Sequence, residues 1–106
     1  MLDQSEIRAL ADQNSYKRGR NLYRSDAVLE YSVEEDGQID YIYAAVQGSG
    51  RNMYEVDLEY NMEEGWLENA YCTCPAFREY EGLCKHCVAV LFEYADYLET
   101  QEAVWQ

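Results

Sequence analysis

The feature that most constrains this chain is a cluster of four cysteines and its single histidine within 16 of its 106 residues. The members are Cys72, Cys74, Cys84, His86 and Cys87. A disulfide framework usually spreads its cysteines so that they close long loops, whereas 71 residues precede the first cysteine here. Thiolates together with an imidazole suit a tetrahedral zinc ion. The cluster therefore predicts a metal site in a reducing, cytoplasmic compartment.

The residues around the cluster predict its geometry. If Cys72 and Cys74 lie on extended backbone, their side chains point the same way, and Pro75 then ends the strand. Gly82 permits the tight turn that brings Cys84 back to the start of a helix predicted over residues 84–102. The dipole of that helix would stabilise the negative charge of a zinc ion bound by three thiolates. Four protein ligands leave no open position, so we expect one structural zinc ion and no enzyme activity.

Five candidate ligands compete for the four positions of such a site. Either Cys72, Cys74 and Cys84 bind the metal with His86, or Cys87 replaces His86 to give four thiolates. Position 87 also continues an apolar helix face with a helical period. The other members of that face are Leu91, Tyr94 and Leu98. A buried free cysteine is a competent small apolar residue, so the pattern favours Cys87 as part of the core.

The sequence C-x-C-P, followed by C-K-H and an apolar helix, resembles the SWIM zinc finger, whose pattern is C-x-C, a variable gap and C-x-H. Pro75 and Lys85 also agree with that family. The resemblance implies that the ligands are Cys72, Cys74, Cys84 and His86. The family usually has an aliphatic residue where this chain has Cys87, which supports its core role.

The preceding segment is similar to the region ahead of this finger in bacterial Snf-type helicases. Together with the finger, the resemblance covers roughly residues 14–98. The matching stretches are Gly19…Tyr23-Arg24-Ser25…Val28, Ala45-Val46-Gln47-Gly48-Ser49 and Tyr54-Glu55-Val56. Those helicases carry an ATPase engine after this region. The resemblance implies protein or nucleic-acid interaction where DNA or RNA is handled, by a stand-alone module or an N-terminal piece of a longer protein.

Helix signals occupy the first quarter of the chain. Asp3 and Glu6 are spaced as a capping box for a first helix. Asn14 or Ser15 is expected to cap a second helix, which Gly19 should weaken.

From residue 27 the apolar residues alternate with polar ones, which predicts strands. Leu29, Tyr31 and Val33 are expected to share one face of the first strand. Turns are predicted at 35–38, 48–50 and 61–65, and such short turns indicate a four-stranded antiparallel meander.

These elements predict one α+β domain over residues 1–106. Its parts are N-terminal helices in 1–26, the sheet in 27–71, and a zinc knuckle with a C-terminal helix in 72–102.

Net charge narrows the choice of partners. Eight basic against 21 acidic residues give −13; residues 1–26 carry 5 − 4 = +1 and residues 27–106 carry 3 − 17 = −14. Such a surface repels a phosphate backbone, so we expect a protein partner, such as a helicase engine domain. No apolar run of about 18 residues exists that would span a membrane. We expect no membrane partner and no small-molecule substrate.

The alternative function is weak, direct DNA or RNA binding through the only basic cluster. Its members are Lys17, Arg18, Arg20 and Arg24. These side chains either pair with the chain's own carboxylates or contact phosphate.

A predicted strand also presents Glu55, Asp57 and Glu59 on one face, as a solvated surface or a docking surface for a basic partner. The 11 tyrosines are able to stack on bases, but tyrosine in a sheet is mostly core with its hydroxyl at the edge.

Overall fold

The computed structural model describes residues 2–48, 50–78 and 82–104. These residues form helices α1 (Gln4–Ala9), α2 (Gln13–Arg24) and α3 (Lys85–Val104), strands β1 (Val28–Asp36), β2 (Ile39–Gln47), β3 (Met53–Asn61) and β4 (Trp66–Cys72), and a 3₁₀ helix (Pro75–Arg78). The strands pair antiparallel in the order β1-β2-β3-β4. The predicted α+β fold is confirmed. Within those ranges, no helix is both long and apolar enough to cross a membrane.

Side-chain caps start the first two helices. Asp3 caps α1 and accepts a hydrogen bond from the Glu6 N–H at 3.0 Å, as the capping box predicts. The prediction for α2 was wrong, because its cap is Asp12 rather than Asn14 or Ser15. The Asp12 carboxylate accepts from both the N–H and the hydroxyl of Ser15, at 2.9 and 3.1 Å. An ionised side chain with two acceptor oxygens thus starts the helix one turn before Tyr16.

The hydrophobic alternation places one face of the sheet against the core. In β3, Val56 and Leu58 are buried while Glu55 and Asp57 are exposed, as predicted. Residues 37–38 form the two-residue turn between β1 and β2, where Gly37 has a φ of +64°. The predicted turn at 48–50 includes Ser49, which lies outside the described residues.

β1 departs from its predicted alternation because it contains a bulge. The register shifts between Leu29, which pairs with Ala45, and Ser32, which pairs with Tyr43. Within the bulge, Glu30 adopts a φ of +48°. The extra residue turns Leu29 to the outer face, where it is 39% exposed, while Val33 packs against the core. The expectation that Leu29, Tyr31 and Val33 share one face was therefore wrong.

α3 crosses the inner face of the sheet, and α2 packs on α3. Gly19 lies where the two helices meet. A Cβ at this position would lie 2.5 Å from the Val88 Cβ and 2.7 Å from the Lys85 carbonyl oxygen. The expectation that Gly19 weakens α2 holds only for the isolated helix, in which glycine is unfavourable. In the folded chain the missing side chain allows α2 to approach the first turn of α3, next to the predicted zinc ligands.

Candidate metal centre

The end of β4 positions the first pair of potential ligands, Cys72 and Cys74. Cys72 is the last residue of the strand and pairs with Val56. Thr73 remains tied to β3, because its N–H donates to the Glu55 carbonyl at 3.1 Å and its hydroxyl oxygen accepts from the Glu55 N–H at 2.9 Å. Cys74 therefore lies just past the strand, one residue beyond the last contact with β3. Pro75 then opens the 3₁₀ helix.

A turn that contacts Leu10 positions the second pair of potential ligands, Cys84 and His86. Gly82 has a φ of +85°, and a Cβ there would lie 2.8 Å from the Leu10 carbonyl oxygen. The next residue, Leu83, donates its N–H to that same carbonyl at 3.0 Å. The predicted role of Gly82 in a tight turn is confirmed, and the contact with Leu10 adds a second requirement for glycine. The Cys84 carbonyl accepts the Val88 N–H at 3.1 Å, so α3 begins directly at the site.

Four buried side chains converge here. The potential ligand atoms of Cys72, Cys74, Cys84 and His86 all lie within 4.8 Å of one another. The His86 Nδ1 atom is 3.8 Å from the Cys72 sulfur and 3.9 Å from the Cys84 sulfur. A tetrahedral zinc ion with ordinary bond lengths has ligand-to-ligand distances of roughly 3.5–3.8 Å. The four residues are therefore arranged to hold one zinc ion, with Nδ1 as the imidazole atom that faces the sulfurs.

Residues 54–95 match the SWIM zinc finger family model. The match begins in β3, includes the whole ligand set and ends within α3, so it covers the elements that build the site. No curated protein and no solved structure matched the chain. The similarity of the upstream segment to Snf-type helicases remains a prediction.

The fifth candidate, Cys87, lies beside the ligand set. It is completely buried, and its sulfur is 3.8 Å from that of Cys84. It packs in the hydrophobic core with the other members of its predicted face. Those members, Leu91, Tyr94 and Leu98, are also buried. This burial agrees with Cys87 as a small apolar core residue.

The thiols of the site differ in pKa. The pKa of Cys84 lies well below its usual range because the thiols of Cys72 and Cys87 donate hydrogen bonds to its sulfur. The pKa of Cys72 is raised, chiefly by its hydrogen bond to Cys84, and burial raises the pKa of Cys74. Zinc binds the thiolate form of cysteine, so protons are released when the metal binds and acid opposes zinc binding.

Tyr54 supports the candidate metal centre, a role that the sequence did not predict. Its ring lies against the His86 imidazole, with the centroids 4.7 Å apart and the planes at 43°. The Tyr54 ring also lies so close to Gly48 that a Cβ at Gly48 would overlap it. The tyrosine therefore limits the orientation of His86. A glycine six residues before a strand tyrosine was the only sequence signal of this packing.

Three of the basic residues predicted to bind nucleic acid line two different cavities. Arg18 lines a cavity of about 490 Å³ beside the metal site, together with Asp12, Lys85 and His86. Lys17 and Arg20 line a different cavity. Arg24 belongs to the last turn of α2 and lines neither cavity.

Proposed function

We propose that this chain is a non-enzymatic, zinc-stabilised module that docks on a protein partner in a nucleic-acid-handling, helicase-associated context. The SWIM zinc finger match and the ligand geometry support the zinc-binding part of this proposal. The helicase context rests on the similarity of the segments before the finger. The need for reduced thiols at the metal site favours the cytoplasm.

A structural role for zinc follows from the proposed ligand set. Three cysteine sulfurs and one imidazole nitrogen complete a tetrahedron and leave no position for a substrate. The four side chains are each at most 6% exposed. In this proposal the zinc ion joins the end of β4 to the start of α3 and performs no chemistry.

The outer face of the sheet carries the docking proposal. Asp57 pairs across the ladder with Tyr43 on one side and with Tyr71 on the other. Directly opposed residues lie on the same side of a sheet, so these side chains are neighbours. Tyr41 and Tyr71 are 41% and 46% exposed. The acidic sheet face, as we define it, consists of Glu34, Tyr41, Tyr43, Glu55, Asp57, Glu59 and Tyr71.

The chemistry of the acidic sheet face suits a basic protein segment. The Tyr43 hydroxyl donates to the Glu55 carboxylate at 3.1 Å, which orients both side chains. A cavity of about 400 Å³ lies on this face between Glu34, Tyr41 and Asp57. Lysine and arginine bind carboxylates through charge-assisted hydrogen bonds and bind tyrosine rings through cation–π contacts. The same carboxylates repel nucleic acid.

A titration with a lysine- and arginine-rich peptide tests this proposal. We expect Glu55→Gln with Asp57→Asn to weaken binding at least about fivefold at physiological salt, because two charges at the contact are removed. The matched control is Glu63→Gln with Glu64→Gln, which changes net charge equally in the β3–β4 turn and should weaken binding less than about twofold. Equal losses in both variants, or no binding by the unchanged protein, would exclude docking at this face.

The alternative function is direct DNA or RNA binding through Lys17, Arg18, Arg20 and Arg24. Arg18 lines a different cavity from Lys17 and Arg20, which argues against a single continuous basic strip along a nucleic-acid backbone. We therefore expect weak duplex binding with a shallow salt dependence, since each neutralised phosphate contributes a slope of about −0.9. Tight duplex binding at physiological salt would favour the alternative.

A further inference from the structure

The cavity that Lys17 and Arg20 line has a volume of about 390 Å³ and lies at the corner between α1 and α2. The cations Arg8, Lys17 and Arg20 line it, and the other lining residues among those described are Ala11, Gln13 and Tyr16, none of which is a carboxylate. Three of the chain's eight basic residues thus meet in one place on a protein of charge −13. Cations held together without a counter-charge attract an anion.

Tyr16 positions two of these cations. Its side chain is only 2% exposed, and its ring packs 5.7 Å from Phe92 of α3. The guanidinium carbon of Arg8 lies 5.0 Å from the Tyr16 ring centroid, and that of Arg20 lies 5.8 Å from it. One buried ring therefore holds two guanidinium groups by cation–π attraction, which does not consume their N–H donors. These N–H groups are therefore able to donate to a ligand.

Two buried polar atoms at this corner have no hydrogen-bond partner in the part of the chain that the structure describes. They are the Tyr16 hydroxyl and the Arg20 Nε. Buried donors in folded proteins are nearly always paired, so these two donors are available to an acceptor that enters the cavity. The Tyr16 hydroxyl thus adds an uncharged donor to the three cations and suits the same kind of ligand.

We infer that Arg8, Lys17, Arg20 and the Tyr16 hydroxyl form a binding site for a single phosphate group. Guanidinium groups bind tetrahedral oxyanions through paired N–H donors, and lysine adds a point charge. Without these three cations the chain carries −13 − 3 = −16. That charge disfavours an extended polyanion, whereas an isolated phosphate group or the phosphorylated end of a nucleic-acid strand reaches the corner alone. The inference does not depend on the acidic sheet face.

The test is a titration of the zinc-loaded full chain with inorganic phosphate at constant ionic strength, monitored through the arginine Nε–H resonances in NMR spectra. We expect saturable binding with the largest shift at Arg20. Arg8→Gln with Arg20→Gln should weaken binding at least about tenfold, because two charged donors are lost. The control Arg18→Gln with Arg24→Gln removes the same charge outside this cavity and should weaken binding less than about twofold.

Two milder variants keep the test decisive if the arginine pair is needed for folding. Tyr16→Phe retains the ring and removes only the unpaired hydroxyl, and Lys17→Gln changes an exposed side chain. Each should weaken phosphate binding by about threefold or more while the melting temperature changes little. Unchanged affinity in both variants would overturn the site.

A second arm identifies the source of the phosphate. Matched oligonucleotides with a 5′-phosphate or a 5′-hydroxyl are titrated beside inorganic phosphate. Preference for the 5′-phosphate that is lost in Arg8→Gln with Arg20→Gln assigns the site to strand ends, and saturable binding of inorganic phosphate alone assigns it to the free ion. The absence of saturable binding in both arms would overturn the inference, whatever the result for the basic peptide.

Discussion

β3 and β4 serve two regions with opposite properties. On their inner face, Val56 pairs with Cys72, both are buried, and the strand end leads directly into the ligand set. On their outer face, Asp57 pairs with Tyr71, and both are exposed. The inner region directs its ligand atoms at one point inside the protein, whereas the polar side chains of the outer region face solvent. The inner face of these two strands therefore carries residues that stabilise the fold, and the outer face carries residues that a partner is able to contact.

Cys74→Ser should have the largest effect on the fold, because it removes one ligand from the inner region. Structural zinc contributes an apparent free energy of about 10–16 kcal/mol in finger peptides, which equals or exceeds the stability of most domains. We expect loss of zinc and unfolding of at least the turn before α3 and its first helical turn. Circular dichroism and metal analysis of the purified variant test this. An unchanged melting temperature without zinc would contradict a structural role.

Much of this inner region could be predicted from the sequence, because its signals are local. The ligand spacing, the alternation of Val56 and Leu58 with Glu55 and Asp57, and the glycine at position 82 depend on near neighbours in the chain. Fold class and strand order follow from the same short-range patterns.

The features that could not be predicted depend on contacts between distant segments. The bulge at Glu30 is set by pairing with β2. The need for glycine at position 19 arises only from the contact between α2 and α3. Arg8 lies nine residues from Lys17 and joins it only through the corner between α1 and α2. The packing of the Tyr54 ring against the His86 imidazole likewise joins a strand to a helix. The periodicity of apolar residues in the sequence contains no information about such long-range contacts.

Gly19→Val should have the next largest effect, through the contact that holds α2 against the start of α3. The added side chain would overlap Val88 and the Lys85 carbonyl oxygen. Overpacking of this kind costs about 1–3 kcal/mol, so we expect a lower free energy of unfolding in denaturant titrations. Val88→Ala in the same chain should recover part of the loss, and the double-mutant cycle measures the coupling. Additive effects of the two changes would show that the helices do not meet at this point.

Cys87→Ala tests whether Cys87 or His86 is the fourth zinc ligand. As a small truncation in the core it should cost on the order of 1 kcal/mol and leave one zinc ion per chain. His86→Ala removes a ligand and should lower zinc retention far more. Zinc content after dialysis against a competing chelator ranks the two variants. The reverse ranking would move the site to four thiolates and release His86 for another role.

Glu55→Gln with Asp57→Asn should have the smallest effect on stability, because the change lies wholly in the outer region. Exposed substitutions away from caps and networks usually change the free energy of unfolding by less than about 0.5 kcal/mol. Zinc content should also remain unchanged. A large loss of stability would show that the acidic sheet face supports the fold, and the division between the two faces of β3 would then fail.

The most direct test of the central claim is zinc K-edge X-ray absorption spectroscopy of the purified, unmodified protein. The four-ligand site predicts one zinc ion per chain with three sulfur neighbours at about 2.3 Å and one nitrogen neighbour at about 2.0 Å. No water or carboxylate oxygen should be present in the coordination shell. Four sulfur neighbours, an oxygen neighbour, or protein that is folded and free of zinc would contradict a closed site formed by Cys72, Cys74, Cys84 and His86.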